Sequence, residues 1–209
     1  MTNDFIFLSV AFDERYIEQQ VRLNQSLRNV YPLTKHVMWT NRYPAGASTH
    51  KESLYGFKVH AIWWAKAQSY KRIIWLDTAC ILQHPVDYWF TLNQPVLAAR
   101  DDNKLNGLVS DKALKWFGHD QCPERLHLVG GSVYVFDFNH PDCGKIFNTW
   151  AKAEQDGLFG AAGEKLGGHR HDEACLSLAL DAHGYGPVSC EAMRYNSGPD
   201  SIIQKFHFK

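Results

Sequence analysis

The sequence lacks an excess of either charge: its 209 residues carry 22 basic and 22 acidic side chains, for a formal net charge of zero. A balanced surface provides no basic field, so the composition does not favour a nucleic-acid or anionic-membrane partner. Long apolar runs are also missing, and no stretch approaches the roughly 18 apolar residues of a membrane-spanning helix. The first residues, MTNDF, lack the cationic start of a signal peptide. We therefore predict no nucleic-acid partner and no transmembrane segment.

Cysteine is sparse as well. The five cysteines are scattered, and no CxxC pair is present. This pattern argues against a disulfide framework and favours buried thiols in a reducing, cytoplasmic compartment. A zinc module is a weak alternative, because neither available group of histidines and cysteines has standard zinc spacing. These groups are His119, Cys122 and Cys143, and His169, His171 and Cys175.

Short apolar runs alternate with segments of helical periodicity along the chain, which predicts strands that alternate with helices. The predicted strands cover 5–11, 36–40, 73–76, 95–99, 133–136 and 202–208. The predicted helices cover 16–30, 59–70, 145–155 and 172–183. Such an order is typical of an α/β fold in which helices flank a central, mostly parallel sheet. We predict one domain of this class over residues 1–209.

Polar residues follow three of the predicted strands, at 11–16, at Asp77 and at Asp101. The carboxyl ends of parallel strands meet on one side of a sheet, where open α/β sheets bind ligands. Asp77 ends the apolar run 73–76, and its carboxylate is a hard oxygen ligand suited to Mg²⁺ or Mn²⁺. The alternative interpretation is that Asp77 caps the turn that follows the strand.

Six short motifs occur in a definite order along the chain. They are VAFDERY at 10–16, WLDTA at 75–79, AARDD at 98–102, VGGS at 129–132, HDEACL at 171–176 and FHF at 206–208. In this order they resemble the glycosyltransferases of the GT-A fold, a Rossmann-like architecture, and especially the family 8-like retaining enzymes. That group includes glycogenin and bacterial galactosyltransferases, and the compact length would suit a small viral or bacterial member.

The resemblance implies transfer of a hexose or deoxyhexose from a UDP-sugar donor to a hydroxyl of a glycan or glycoprotein acceptor, with retention of configuration. Residues 1–100 would form the nucleotide-binding half, and residues 101–209 the sugar and acceptor half. The chain would form a single catalytic domain, which is also compatible with one domain of a larger polypeptide.

The resemblance assigns the nucleotide to the corner after the first strand. The backbone near Ala11 and the side chain of Asp13 would contact uracil and ribose, and the Tyr16 ring would stack on the base. Asp77 and Thr78 would lie at the diphosphate. A basic side chain should offset the charge of the leaving group, and Lys58 is favoured over the other candidates. Those candidates are His60, Lys66 and Lys205.

The WLDTA motif stands where the family has Asp-x-Asp, which supplies two carboxylates to a divalent cation. Here Ala79 replaces the second carboxylate. The resemblance implies that Asp77 and His207 bind the metal. Because imidazole suits Mn²⁺ better than Mg²⁺, the expected cofactor is Mn²⁺, with Mg²⁺ as the alternative.

The remaining motifs are assigned to the donor sugar and the reaction centre. Asp101 would accept hydrogen bonds from sugar hydroxyls, and Gly130 and Gly131 would form a small-residue turn that passes close to the sugar. Asp172 and Glu173 would act at the reaction centre together with Asp101. Glu173 takes the place of a glutamine in the family, so a carboxylate here could stabilise or attack the anomeric carbon.

Two further functions compete with this interpretation. A nucleotidyltransferase would be expected to have a Gly-rich, basic phosphate loop, but the 10–16 segment has no glycine and one arginine. A catalytically degenerate relative that binds a nucleotide or glycan without turnover is the second alternative, and it is favoured by Ala79 and by the absence of an asparagine before Gly130.

Overall fold

A computed structural model describes residues 5–161, 168–196, 198 and 200–206. Its central sheet has five strands, and the strand order in the sheet is β2-β1-β3-β6-β5. These strands are β1 (Phe5–Ala11), β2 (His36–Thr40), β3 (Arg72–Leu76), β5 (Val96–Lys104) and β6 (His127–Asp137). A second sheet pairs β4 (Cys80–Leu82) with β7 (Ile203–Lys205) in antiparallel fashion.

The central sheet is mostly parallel, as predicted. Strand β1 pairs in parallel with both β2 and β3, whereas β6 is antiparallel to β3 and to β5. Four of the five strands therefore run in one direction, and β6 alone runs the other way. The predicted α/β class is confirmed, and the sheet draws its strands from both halves of the chain.

Six helices flank the sheet in the described part of the chain. They are α1 (Asp13–Val30), α2 (Phe57–Ala67), α3 (Asp111–Trp116), α4 (Cys143–Gln155), α5 (His171–Ala182) and α6 (Cys190–Met193). A 3₁₀ turn covers Asp87–Thr91. None of these helices has both the length and the apolar character needed to cross a bilayer.

The strands are continuous apolar runs because each face of the sheet is covered. In β1, Ile6 and Leu8 pack in the cluster that holds α2, α4 and α5, whereas Phe5 and Phe7 pack in the cluster that holds α1, β4 and β7. Successive side chains of a strand point to opposite faces, so both sets are buried. This double burial fixes the sheet beneath the site at its carboxyl edge.

Strand β6 is longer than predicted, and this corrects the prediction for Gly130 and Gly131. Both glycines lie inside the strand rather than in a turn before it. Close packing requires a glycine at position 131, whereas a side chain at position 130 would make only ordinary van der Waals contact. A Cβ on Gly131 would lie 2.5 Å from Glu173 Oε1, and a Cβ on Gly130 would lie 3.5 Å from the carbonyl oxygen of Ala99.

Strand β5 also continues beyond its predicted end, through Asp101 to Lys104, and its register against β6 is irregular there. The polar sequence RDDNK has low strand propensity, so pairing with β6 overrides local preference in this stretch. The short elements β4, α3, α6 and the 3₁₀ turn were not predicted, because none is long enough to give a periodic signal.

A chain of side-chain hydrogen bonds joins α1 to β1 and β2. Thr40 Oγ1 donates to Gln20 Oε1 at 2.8 Å, and Gln20 Nε2 donates to Ser9 Oγ at 3.1 Å. Ser9 Oγ lies 2.9 Å from His36 Nε2, and His36 Nδ1 lies 3.2 Å from Asn24 Oδ1. A neutral imidazole that donates to Asn24 and accepts from Ser9 satisfies the whole chain. Protonation of His36 would disrupt it.

We expect this chain to make the fold sensitive to acid through His36. Burial, and then the charge of Arg28, lower the pKa of His36 to about 4. Between its ordinary pKa and that value the unfolded chain binds a proton that the folded chain does not, so stability falls as the pH falls. Between pH 7 and pH 4.5, the free energy of unfolding of His36→Gln should therefore fall by about 2 kcal/mol less than that of the wild type.

Urea unfolding of the wild type and of His36→Gln at both pH values checks this expectation. His84→Gln, at an exposed histidine, is the matched control and should keep the pH dependence of the wild type. Equal pH dependence in all three proteins would contradict the role given to His36.

Candidate active site

A cavity of about 360 Å³ opens at the carboxyl ends of β1 and β3. Because these strands are parallel neighbours, the residues that follow them come together there. The lining residues are Val10, Phe12, Asp13, Arg15, Tyr16, Gln19, His50, Tyr55, Phe57, Trp75, Asp77, Thr78, Ala79, Lys205 and Phe206. Two of the predicted clusters, 11–16 and Asp77, therefore share one cavity.

One end of the cavity is formed by the start of α1. Asp13 has left-handed backbone geometry, with φ of 66°, and both Asp13 and Tyr16 line the cavity. The Tyr16 ring is 49% exposed and so remains available to a planar ligand. Ala11 is 1% exposed, outside the lining, and its carbonyl accepts from the backbone N–H of Asn41 at 2.9 Å.

Asp77 forms the floor at the end of β3. Its Oδ1 accepts from the indole Nε1 of Trp75 at 2.9 Å, and its backbone N–H donates to the carbonyl of Ser132 at 2.9 Å. The next residue, Thr78, is buried and donates from Oγ1 to Gln19 Oε1 at 3.2 Å. These bonds fix the carboxylate relative to β6 and α1, and the side chain remains 34% exposed.

Lys58 is buried behind the cavity, outside its lining, and connects the two predicted halves of the site. Its Nζ donates to the carbonyl of Gly131 at 2.8 Å and to Asp172 Oδ2 at 2.9 Å, and it lies 3.6 Å from Asp77 Oδ1. Burial alone would lower the pKa of Lys58, but the carboxylates of Asp172 and Asp77 raise it above its ordinary value. Lys58 is therefore a fixed positive charge between two carboxylates.

Three aromatic rings surround the Lys58 ammonium. Their centroids lie 5.1 Å away for Tyr55, 5.7 Å for Trp75 and 5.1 Å for Tyr134. Cation–π contacts of this length stabilise a charge that has been removed from water. Trp75 and Tyr134 are almost fully buried, and Tyr55 is 38% exposed and lines the cavity.

Asp172 and Glu173 start α5 and face Lys58 and β6. Asp172 Oδ2 also accepts from the Tyr134 hydroxyl at 2.8 Å, and its backbone carbonyl accepts from Trp150 Nε1 at 3.0 Å. Glu173 Oε1 accepts from the backbone N–H of Gly131 at 2.9 Å. Burial, and then the charge of Asp172, raise the pKa of Glu173 to about 7.

Asp101 and Gly130 are not brought into this cluster. Asp101 lies on the partly exposed extension of β5, where its Oδ1 accepts from the backbone N–H of Asn103 at 2.9 Å and from its Nδ2 at 2.6 Å. Across the described residues, no hydrogen bond or ion pair joins Asp101 to Lys58, Asp77 or Asp172. Gly130 meets β5 rather than the cavity.

The predicted metal ligands are only partly described, because His207 lies outside the described residues. Asp77 provides one carboxylate on the cavity wall, and Ala79 provides no ligand oxygen beside it. Within the described ranges no three His, Cys, Asp or Glu side chains are placed to hold a metal ion. The described residues therefore offer a divalent cation the carboxylate of Asp77, and the Asp13 carboxylate lines the same cavity.

The alternative zinc groups are not assembled either. His169 Nε2 lies 2.8 Å from the carbonyl of Leu158, and its Nδ1 accepts from the backbone N–H of Ser110 at 3.1 Å. His171 Nδ1 lies 2.7 Å from the carbonyl of Phe159. These imidazoles hold loops in place, and all five cysteines are free thiols.

Sequence reasoning missed His50, Tyr55 and Tyr134 at the site. His50 and Tyr55 belong to the segment between β2 and α2, which has no periodic pattern that would reveal its position. Tyr134 alternates with apolar residues in β6 and has the sequence signature of a core residue. Its role follows only from its contact with Asp172.

No protein-family model matches the sequence, and no curated protein matches it. Solved structures of glycosyltransferases do resemble its fold. A galactosyltransferase, LgtC, in complex with donor and acceptor sugar analogues has a TM-score of 0.50 at 11% identity, over 97% of this chain and 87% of that chain. A glycosyltransferase involved in glycosylation of the major capsid of PBCV-1 has a TM-score of 0.52 at 11% identity, over 98% of this chain and 93% of that chain.

The glycosyltransferase GlyE of Streptococcus pneumoniae has a TM-score of 0.56 at 12% identity. That likeness covers 98% of this chain and 54% of the pneumococcal chain, so this chain spans about half the length of that protein. Likenesses at such low identity establish the fold. The chain has the GT-A-like fold of these glycosyltransferases, as its motifs predicted.

Proposed function

We propose that this protein is a glycosyltransferase that transfers a hexose or deoxyhexose from a UDP-sugar to a hydroxyl of a glycan or glycoprotein acceptor, with retention of configuration. One observation carries the proposal: in a glycosyltransferase fold, the cavity at Asp77 adjoins the buried cluster of Lys58, Asp172 and Glu173. A ligand that begins at α1 and passes Asp77 would end at that cluster. The 1–209 chain would act as one catalytic domain.

The cavity suits a nucleoside diphosphate in its charges and in its exposed ring. Tyr16 would stack on the base, which is worth about 1–3 kcal/mol, and Asp13 would accept from ribose hydroxyls. Arg15 and Lys205 also line the cavity and offer cationic donors to phosphate oxygens. UDP rather than another nucleotide follows from the motif resemblance.

A divalent cation, Mn²⁺ before Mg²⁺, completes the proposal. Asp77 and His207 would hold it. Because Ala79 supplies no second carboxylate, oxygens of the donor's diphosphate would take its place. When bound, the ion would supply positive charge to the departing diphosphate. Asp77 is the described residue whose carboxylate is fixed for this task, because Trp75 and the backbone of Ser132 hold it.

The chemical step would take place at Asp172 and Glu173. Asp172 is fixed by Lys58 and Tyr134, so it would position a sugar hydroxyl rather than exchange a proton. Burial and the charge of Asp172 raise the pKa of Glu173 to about 7, so Glu173 would be ionised above neutral pH, and in that form it would stabilise a positive anomeric centre. Asp101 would reach the sugar or the acceptor from the β5 extension.

The galactosyltransferase LgtC was solved in complex with donor and acceptor sugar analogues, and we extend that substrate class to this chain. The five free thiols are compatible with a reducing, cytoplasmic location.

A UDP-release assay tests the proposal against a protein that only binds. The purified chain is incubated with a panel of UDP-hexoses and UDP-deoxyhexoses, with Mn²⁺, and free UDP is measured with and without a mixture of glycan acceptors. We expect UDP release from at least one donor, and faster release with a suitable acceptor. Tight donor binding without UDP release would support the degenerate relative instead.

A further inference from the structure

Tyr55 is an aromatic residue of the cavity that contacts both the Lys58 ammonium and the residue before the proposed reaction centre. Its ring lines the cavity beside Trp75 and Asp77, and it also lies over the Lys58 ammonium. The ring centroid is 6.0 Å from that of His171, the residue before Asp172 and Glu173. Tyr55 therefore borders both the nucleotide cavity and the proposed reaction centre.

The backbone holds Tyr55 in a conformation that is uncommon for a bulky residue. Its φ is 62°, in the left-handed region, which is unfavourable for a residue with a bulky side chain. The turn is fixed on each side, because the backbone N–H of Tyr55 donates to His50 Nδ1 at 3.3 Å and its carbonyl accepts from the N–H of Lys58 at 3.0 Å.

Gly56 allows this turn to form against α4. A Cβ at Gly56 would lie 2.4 Å from Ser53 Oγ and 2.6 Å from Glu154 Oε1. The chain therefore packs too closely there for a side chain. The turn presents the preceding residue, Tyr55, toward the cavity. Strained geometry that is so firmly held is typical of positions that serve a ligand.

The chemistry of the exposed part of Tyr55 suits a sugar. The side chain is 38% exposed, and within the residues that the structure describes its hydroxyl has no hydrogen-bond partner. A pyranose ring has an apolar C–H face and a rim of hydroxyls. A tyrosine offers an apolar ring and a polar tip to match both.

We propose that Tyr55 is the residue that recognises the sugar of the nucleotide-sugar donor, as a wall of the cavity against which the hexose lies beside Asp77, on the cavity side of the buried Lys58–Asp172 pair. This inference rests on the proposed function, because it requires a donor whose diphosphate lies at Asp77. It separates recognition of the sugar from recognition of the nucleotide, which lies toward Tyr16.

Replacement by asparagine gives a sharp test, because asparagine tolerates a left-handed backbone and lacks the ring. Calorimetry would measure Mn²⁺-supported binding of UDP, UDP-glucose and UDP-galactose to the wild type, Tyr55→Asn and Tyr55→Phe. In Tyr55→Asn we expect UDP affinity within about twofold of wild type, and affinity for at least one UDP-hexose lower by about tenfold or more. Tyr55→Phe keeps the ring and should stay within about threefold for each ligand.

Thermal unfolding of the same variants controls for structure. Asparagine relieves the strained geometry but also removes the ring over the Lys58 ammonium, so donor binding is measured at a temperature where thermal unfolding shows that Tyr55→Asn is folded. A purely structural role would then predict unchanged donor binding. Equal weakening of UDP and UDP-hexose, or no change in either, would overturn the role of Tyr55. Absence of UDP binding by the wild type would instead overturn the proposed function, and this inference with it.

Discussion

Lys58→Met is expected to destabilise the protein by about 3–5 kcal/mol and to lower its transfer activity by at least about 100-fold. The substitution keeps the length and the apolar stem of the side chain but removes the ammonium. Asp172, which is 2% exposed, would then keep the Tyr134 hydroxyl and lose its only described ion pair. A carboxylate left in a low-dielectric site without its cation is costly, so the folded state suffers more than the unfolded state.

The size of this effect can be separated from the general cost of losing a lysine. Lys66→Met is the matched control, because Lys66 is on the same helix and is exposed. Its free energy of unfolding should differ from that of the wild type by less than about 0.5 kcal/mol. Tyr134→Phe removes one hydrogen bond to Asp172. It should lower the free energy of unfolding by about 1–2 kcal/mol, between the effects of Lys66→Met and Lys58→Met.

Urea unfolding of the three variants, together with UDP release at a temperature where each remains folded, measures both effects. Stability of Lys58→Met within about 0.5 kcal/mol of wild type would show that Asp172 does not depend on Lys58. Full activity in a folded Lys58→Met protein would remove Lys58 from the proposed site.

Glu173→Gln is expected to make the protein more stable at alkaline pH and less active. The folded protein holds a proton on Glu173 up to a pKa of about 7, whereas the ordinary value is 4.5. Between these values the folded chain binds more protons than the unfolded chain, so the stability from this group falls as the pH rises. At pH 8 the ionised carboxylate then costs about 3 kcal/mol.

Glutamine has no charge to bury, and its Oε1 can still accept from the backbone N–H of Gly131. The variant should therefore unfold at higher urea concentration than the wild type at pH 8 and at the same concentration at pH 4. If the carboxylate stabilises the anomeric centre, UDP release should also fall by about 100-fold or more.

Glu191→Gln, at an exposed position on α6, is the control for the loss of one negative charge. It should follow the wild type at both pH values. A Glu173→Gln protein with the pH dependence and activity of the wild type would contradict the environment and the role assigned to Glu173.

The sequence was sufficient for the sheet and for the position of the cavity at its carboxyl edge because both depend on local pattern. Short apolar runs such as Ile73–Leu76 indicate strands covered on two faces, and the carboxyl ends of parallel neighbours must meet. The same logic brought Asp13, Tyr16 and Asp77 to one cavity. A strand end is encoded in a few consecutive residues, so no tertiary information was needed.

The sequence was insufficient for residues whose positions depend on contacts with distant parts of the chain. Gly130 and Gly131 have the composition of a turn, but pairing with β3 and β5 draws them into β6. Tyr55 lies in a segment without periodicity, and its position depends on the close approach of Gly56 to α4. Lys58 was predicted as a ligand of the diphosphate, yet its hydrogen bonds to Gly131 and Asp172 join residues more than 70 positions apart in the chain.

Titration of UDP into the purified protein by calorimetry, first with Mn²⁺ and then with EDTA, tests the central claim most directly. GDP serves as the control nucleotide, and Asp77→Asn as the control variant. We expect that UDP binds with Mn²⁺, that EDTA and Asp77→Asn each weaken binding by about tenfold or more, and that GDP binds more weakly than UDP. Absence of binding of either nucleotide would contradict the proposed function and leave Asp77 as a residue of the turn after β3.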